Sequence, residues 1–465
     1  MGLAKRIVGT TLTVAVIGAG VYLWADARDL VPGYLTTAPV PSPAAPFPTP
    51  PGALPATDLA AAPDGPSATA PLPSQQVLDD AVATLRADKE RVGKRVGLVV
   101  ADAVTGDVLV QHAADTPRTP ASTLKLLTAV AAGSVLDMTA TLPTTAMLSA
   151  DTVTLVGGGD MMLSATKGSA SAVDGRAGLG DLATQTAKAL QLKGTTSVTL
   201  TLDDTLFSSD TASVWDDSTA NDGWAAPVVP VAVDTGRRSE GEYAPRWADP
   251  SMAAAQVFAQ RLEEHGITVA TTISRAAAPS GAVQVGRVES APLGEIVDYM
   301  LELSDNTITE VVGRLVAVHE GLPASFDGAT TAVQTVLKAQ GVPVTGVTMA
   351  DCSGLADGTT IPPSTLLAVV EKIVSPGSAQ FRDVARGLPV GGLTGTLVDR
   401  YRGSAVAGLV RAKTGSLTGV KSLAGTVMTA DQRQLVFVVL VDKAPKGVPW
   451  ATRAALDEFV ETIAR

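Results

Sequence analysis

Ala121-Ser122-Thr123-Leu124-Lys125-Leu126-Leu127 is the stretch on which the reading of this chain turns. It is an apolar run that opens just after Thr119-Pro120, where a proline breaks the preceding structure. If the run is helical, residues three apart share a face, so Ser122 and Lys125 meet. A serine beside a desolvated lysine is a nucleophile with its own base, and no histidine is needed. The pair alone is ambiguous, because a capping serine followed by a solvated lysine has the same spacing. Two later triplets, Ser304-Asp305-Asn306 and Lys413-Thr414-Gly415, resolve it by their order and local context.

The chemistry asks for these residue types. Ser122 must lose a proton to attack a carbonyl, and Lys125 accepts it only if its amine is neutral part of the time. Burial and a second nearby cation lower a lysine pKa, and a fall of about three pH units costs ~4 kcal/mol. Lys413 is expected to be that second cation and to attract a substrate carboxylate. Ser304 is expected to relay a proton between lysine and the leaving amine. Asn306, with its two-sided amide, is expected to hold Lys125 and a substrate amide. The oxyanion needs two fixed N–H donors, and the backbones of Ser122 and Ser416 are the candidates. Thr414, Gly415 and Ser416 then form the substrate side of the site, the two hydroxyls facing the ligand or its carboxylate.

Outward from these motifs, the chain reads as several parts. Leu78, Val82 and Leu85 recur at helical spacing after a Ser74 cap. Val96 to Val100 and Asp107 to Val110 read as a hairpin, and so do Ala424 to Thr429 and Leu435 to Val441. Leu456, Phe459, Val460 and Ile463 mark a last helix. Strands at both ends with helices between them predict one antiparallel sheet flanked by helices and completed by both ends of the domain. Ser122 and Ser304 are 182 residues apart, far more than a loop spans. Short β-like runs such as Val153-Val156 and Ser197-Leu200 lie between them. We therefore expect peptidase segments at 75–140 and 286–465, with a large inserted β-rich domain at 141–285.

Composition bounds the function. The chain has 465 residues, 46% of them apolar, and a net charge of −11 without a long basic run, so nucleic acid is an improbable partner. The single Cys352 forms no internal disulfide, and the three scattered histidines predict no metal site. No cofactor is expected. Lys5 and Arg6 precede eighteen uncharged residues, Ile7 to Trp24, which as a helix would span ~27 Å. Positive charge on the short side puts the remainder outside the cytoplasm. Residues 1–27 thus read as a membrane anchor or a signal peptide; Ala25-Asp26-Ala27 offers a cleavage site, while the length of the span favours the anchor. Residues 28–74 read as a Pro-rich disordered linker. From Pro39 to Pro73, twelve of thirty-five residues are proline, and such a tract could extend roughly 100 Å.

The three motifs in this order resemble those of penicillin-interacting serine acyl-enzymes. The likeness extends over nearly all of 75–465 and is similar to the D-alanyl-D-alanine carboxypeptidase/endopeptidase family, the low-molecular-mass class C (type-4) penicillin-binding proteins. Leu155-Val156-Gly157-Gly158-Gly159-Asp160, Asp203-Asp204-Thr205-Leu206-Phe207, Asp351-Cys352-Ser353-Gly354-Leu355 and Leu388-Pro389-Val390-Gly391-Gly392 carry it beyond the motifs. The resemblance implies an α/β (α+β) transpeptidase fold of the penicillin-binding/β-lactamase-like kind. It also implies an acyl-enzyme that cleaves peptidoglycan stem peptides, inhibition by β-lactams and no metal. Asp203 and Asp204 are candidate substrate contacts, although adjacent aspartates are more often turn or capping groups. Cys352 stands where relatives carry glycine, so a β-carbon is expected to alter that turn. Met161 stands where a proline is common. Ala356-Asp357 replaces a Ser-Arg pair, which puts an anion where relatives present a cation. The rival readings are a β-lactamase, disfavoured by the long first interval, and a wall-associated binding protein on an inactive scaffold.

Overall fold

The computed structural model describes residues 18–28, 30, 31, 67–207, 214–375, 377 and 379–465. The chain forms two compact units, 1–64 and 65–465. In the first, residues 18–27 are helical. Most of the expected Ile7–Trp24 span and of the Pro-rich tract lies outside the described residues; among the described residues no helix is long and apolar enough to cross a membrane.

The second unit is built on two larger sheets. Strands β1 (Val96–Asp102) and β2 (Val108–His112) come from its beginning. Strands β11 (Val410–Leu417), β12 (Val420–Met428) and β13 (Gln434–Asp442) come from its end. They form one antiparallel sheet in the order β11-β12-β13-β1-β2. Side chains alternate across it, so each face collects its own core. Leu98, Val100, Phe437, Val439 and Leu423 pack with helices α1 (Gln75–Ala87) and α7 (Pro449–Ile463). Val99, Ala101, Val436, Val438 and Ala424 pack with α2 (Lys125–Val135) and α6 (Pro363–Val374). Ser74 caps α1 as its sequence predicts, its hydroxyl accepting from the Val77 amide. Buried on both faces, the sheet is a rigid base for whatever lies on α2 and β11.

The second sheet is mixed and lies between the Ser122 and Ser304 motifs. Strands β3 (Pro143–Ser149), β4 (Thr152–Gly157), β6 (Ser197–Asp203), β8 (Thr268–Val269) and β10 (Val283–Glu289) run in the order β10-β3-β4-β6-β8. The short β9 (Ser274–Arg275) joins β6, and β5 (Asp160–Leu163) pairs with β7 (Val231–Val233). Helices α3 (Leu179–Leu192) and α4 (Pro250–Glu264) bury Leu182, Leu190, Phe258 and Leu262 against the larger sheet. Helix α5 (Asn306–His319) then returns the chain to α2.

Candidate active site

Pro120 and the 3-10 turn Ala121–Leu124 bring the chain to Lys125, where α2 begins. The Pro120 carbonyl accepts from Thr123 Oγ1 at 2.8 Å and from Ser422 Oγ at 2.6 Å, which ties the turn to β12. Ala121 sits at φ 48°, a left-handed conformation that costs a non-glycine residue about 1–3 kcal/mol. Two glycines close on it. A β-carbon on Gly415 would lie 2.6 Å from the Pro120 oxygen and 3.1 Å from Ala121 Cβ; one on Gly354 would lie 2.0 Å from the Ala121 oxygen. The glycine of the third motif is therefore required by the approach of β11 to the Ser122 turn.

Lys125 is wholly buried. Its Nζ donates to Ser122 Oγ at 3.1 Å, Asn306 Oδ1 at 2.7 Å and the Ser353 carbonyl at 2.8 Å. An ammonium has three protons, and all three have acceptors here. Burial pushes the amine down to about 8, against the charges of Asp351, Asp305 and Glu310, which favour the ammonium. Burial is thus what poises Lys125, where the sequence suggested a second cation. Lys413 is equally buried; burial first, then the charge on Lys125, holds it well below the ordinary lysine value. Its Nζ donates to Ser304 Oγ at 2.8 Å and to the Thr414 carbonyl at 3.0 Å.

The second motif forms the turn into α5. Ser304 adopts φ 61°, and Asp305 caps the helix by accepting from the Ile308 amide at 2.8 Å. Arg237, from beyond β7, lies 3.8 Å from the Asp305 carboxylate and also faces Asp174 and Asp234. Asn306 holds Lys125 as expected, but its Nδ2 donates to the Trp224 carbonyl at 2.9 Å. The side of the amide expected to meet substrate is thus engaged by the chain itself.

Strand β11 lies at the edge of its sheet. The Val410 carbonyl accepts from Gly391 and the Ala412 amide donates to Pro389, so the backbone groups of alternate residues 410, 412, 414 and 416 point off that edge. The Ser416 N–H belongs to this set. The Thr414 hydroxyl donates to Thr396 Oγ1 at 2.8 Å, and the Ser416 hydroxyl accepts from Lys421 Nζ.

The remaining sequence-derived candidates have local partners. Asp203 accepts from Thr205 at its amide and hydroxyl and from the Ala278 amide. Asp204 pairs with Arg275 and accepts from Ser251. Both carboxylates are committed to a turn and an ion pair around β6, and neither hydrogen-bonds to a motif residue. Cys352 is absent from the positive-φ residues, so its β-carbon brings no left-handed strain; its sulfur packs over Gly313, where an added Cβ would stand 2.5 Å away. Asp351 holds the turn that contains Cys352, accepting from Gly354, Leu355 and Ala356 amides, Ser353 Oγ and Trp215 Nε1. By fixing the turn, Asp351 aims the Ser353 carbonyl at Lys125. Residue-type reasoning did not assign this anchoring role, although an Asp followed by Ser-Gly is an Asx-turn signal. Asp357, two residues past Leu355, is exposed.

The architecture is that of known penicillin-binding proteins. Penicillin binding protein 4 (dacB) from Haemophilus influenzae superposes with a TM-score of 0.69 over 82% of this chain and 98% of its own, at 21% identity. The model of the D-Ala-D-Ala carboxypeptidase 3 (S13) family matches residues 78–244 and 238–463. Carboxypeptidase Rv3627c of Mycobacterium tuberculosis is 35% identical over 87% of each chain. Carboxypeptidase DacB of Mycolicibacterium smegmatis is 34% identical over 97% of this chain and 94% of its own. The chain belongs to the D-Ala-D-Ala carboxypeptidase 3 (S13) family. It is a serine-type D-Ala-D-Ala carboxypeptidase of the bacterial cell wall, acting outside the cytoplasm.

Proposed function

We propose that Ser122 is the acylated nucleophile and Lys125 its base. Lys125 takes the hydroxyl proton as Ser122 Oγ bonds to the carbonyl carbon between two D-alanines. The developing oxyanion lies between the Ser122 and Ser416 amides. The C–N bond then breaks, and the leaving amine receives a proton from Lys125 through Ser304. Water, deprotonated by Lys125, then bonds to the ester carbonyl carbon; the bond to Ser122 Oγ breaks, Ser122 takes the proton back from Lys125, and the shortened stem peptide leaves. Asn306 orients Lys125, and Lys413, Thr414, Gly415 and Ser416 hold the leaving residue. β-Lactams acylate the same serine. In this reading, residues 1–27 tether or export the chain, and the Pro-rich segment lets the peptidase reach into the wall. Asp203 and Asp204 have no assigned substrate role. The observation that carries the reading is the 3.1 Å contact between Ser122 Oγ and the buried Lys125 amine, in a chain of this family.

Monomeric and crosslinked muropeptides, incubated with the enzyme, test it by mass spectrometry. Monomers ending in D-Ala-D-Ala are expected to lose one alanine, and the fate of D-Ala crosslinks reports any endopeptidase action. Unchanged monomers would refute the peptidase assignment of Ser122.

A further inference from the structure

Lys421 has no role in this scheme, yet it reaches the site. A two-residue turn, Thr418-Gly419, folds β12 back on β11 and sets Lys421 directly across from Ser416. Directly opposed residues share a face, and Lys421 Nζ donates to Ser416 Oγ. This ammonium is half-buried and forms no ion pair among the described residues. Around it stand two more cations. Burial, then the charges of Arg453 and Arg400, lowers its pKa. Arg400 is neutralised by Asp457, and Arg453 lies over the Trp450 ring at 4.5 Å. Arg453 and Arg400 thus add positive charge to that of Lys421 near the end of β11. The hydroxyl geometry adds a direction. Ser416 Oγ accepts a hydrogen bond from Lys421, so its own O–H is free to donate elsewhere.

We propose that Lys421, acting through Ser416, is a specificity residue that reads the free α-carboxylate of the leaving residue. The proposal rests on the peptidase reading above. Lys421 is a positioning group: it orients the Ser416 hydroxyl toward the carboxylate and supplies the positive field that an arriving anion relieves. A chain ending in a free carboxylate is then preferred over one whose terminus is an amide.

The test compares an N-acetylated peptide ending in D-Ala-D-Ala with the same peptide ending in D-alaninamide. For Lys421→Met, kcat/KM on the carboxylate peptide is expected to fall about tenfold or more, chiefly through KM. The amide peptide should be cleaved at the wild-type rate, which also shows that the variant folds. Lys421→Arg should keep most of the carboxylate preference. A Lys421→Met enzyme with the wild-type carboxylate-to-amide ratio, whether or not both rates fall, overturns the proposal alone. A wild-type enzyme that cleaves neither peptide overturns the peptidase reading and the proposal with it.

Discussion

Lys125→Ala is expected to slow acylation of the enzyme by benzylpenicillin at least about a thousandfold while the protein remains folded. The expectation follows from the three contacts of the Lys125 amine. No other titratable group donates to or accepts from Ser122 Oγ among the described residues. Lys413 does not replace it, because its amine donates to Ser304 and the Thr414 carbonyl and not to Ser122. The wild-type pH profile belongs to the same prediction. With Lys125 near 8, the neutral base is scarce at pH 6 and predominant above pH 8. The acylation rate should rise about tenfold per pH unit below that value and level off above it. Stability moves in the same direction. The folded chain releases the Lys125 proton near 8, whereas the unfolded chain holds it to its ordinary value of 10.5, so between these values the unfolded state binds more protons. The folded state therefore gains on the unfolded one as pH rises through this window, and the full penalty, about 3 kcal/mol, is present below it. Stopped-flow acylation from pH 6 to 10 measures the rate. A flat profile, or unchanged acylation in Lys125→Ala, would remove Lys125 from the role of base.

Gly354→Ala is expected to be the most damaging change outside the reacting groups. Gly354 has φ +80°, which disfavours any side chain, and its Cβ would fall 2.0 Å from the Ala121 carbonyl oxygen and 3.1 Å from Leu124 Cβ. The neighbouring Ser353 carbonyl is an acceptor for Lys125. Relief of the overlap must move either the Ser122 turn or the Asp351 turn, and each carries a part of the site. A loss of about 3 kcal/mol or more is expected, together with loss of acylation in whatever protein folds. Thermal unfolding and penicillin labelling check the two consequences separately. A variant that melts and labels like the wild type would show that the two turns do not clamp each other.

Much of the proposed site could be read from the chain because the groups we propose to react are side chains of distinctive type in short motifs. Ser122, Lys125, Ser304, Asn306 and Lys413 converge through hydrogen bonds of 2.7 to 3.1 Å. The sheet was equally legible, since its strands are apolar runs separated by recognisable turns. The Ser353 and Trp224 carbonyls were not, because a backbone acceptor carries no residue-type mark and is delivered only by tertiary folding. Asp203 and Asp204 invited a functional reading through their charge, yet the Thr205, Ala278, Ser251 and Arg275 groups around them use both carboxylates locally. Cys352 was expected to disturb its turn by analogy with glycine, but its backbone lies outside the left-handed region and Gly313 leaves room for its sulfur. Lys421 lay in plain sight: a two-residue turn after Leu417 is enough to set it across from Ser416.

The central claim is that Ser122 forms the acyl-enzyme. Intact-mass spectrometry after incubation with benzylpenicillin, followed by peptide mapping, tests it most directly. The account predicts one penicilloyl adduct per chain, located on Ser122 and absent from Ser122→Ala. An equal adduct on Ser122→Ala, or no adduct on the wild type, would contradict it.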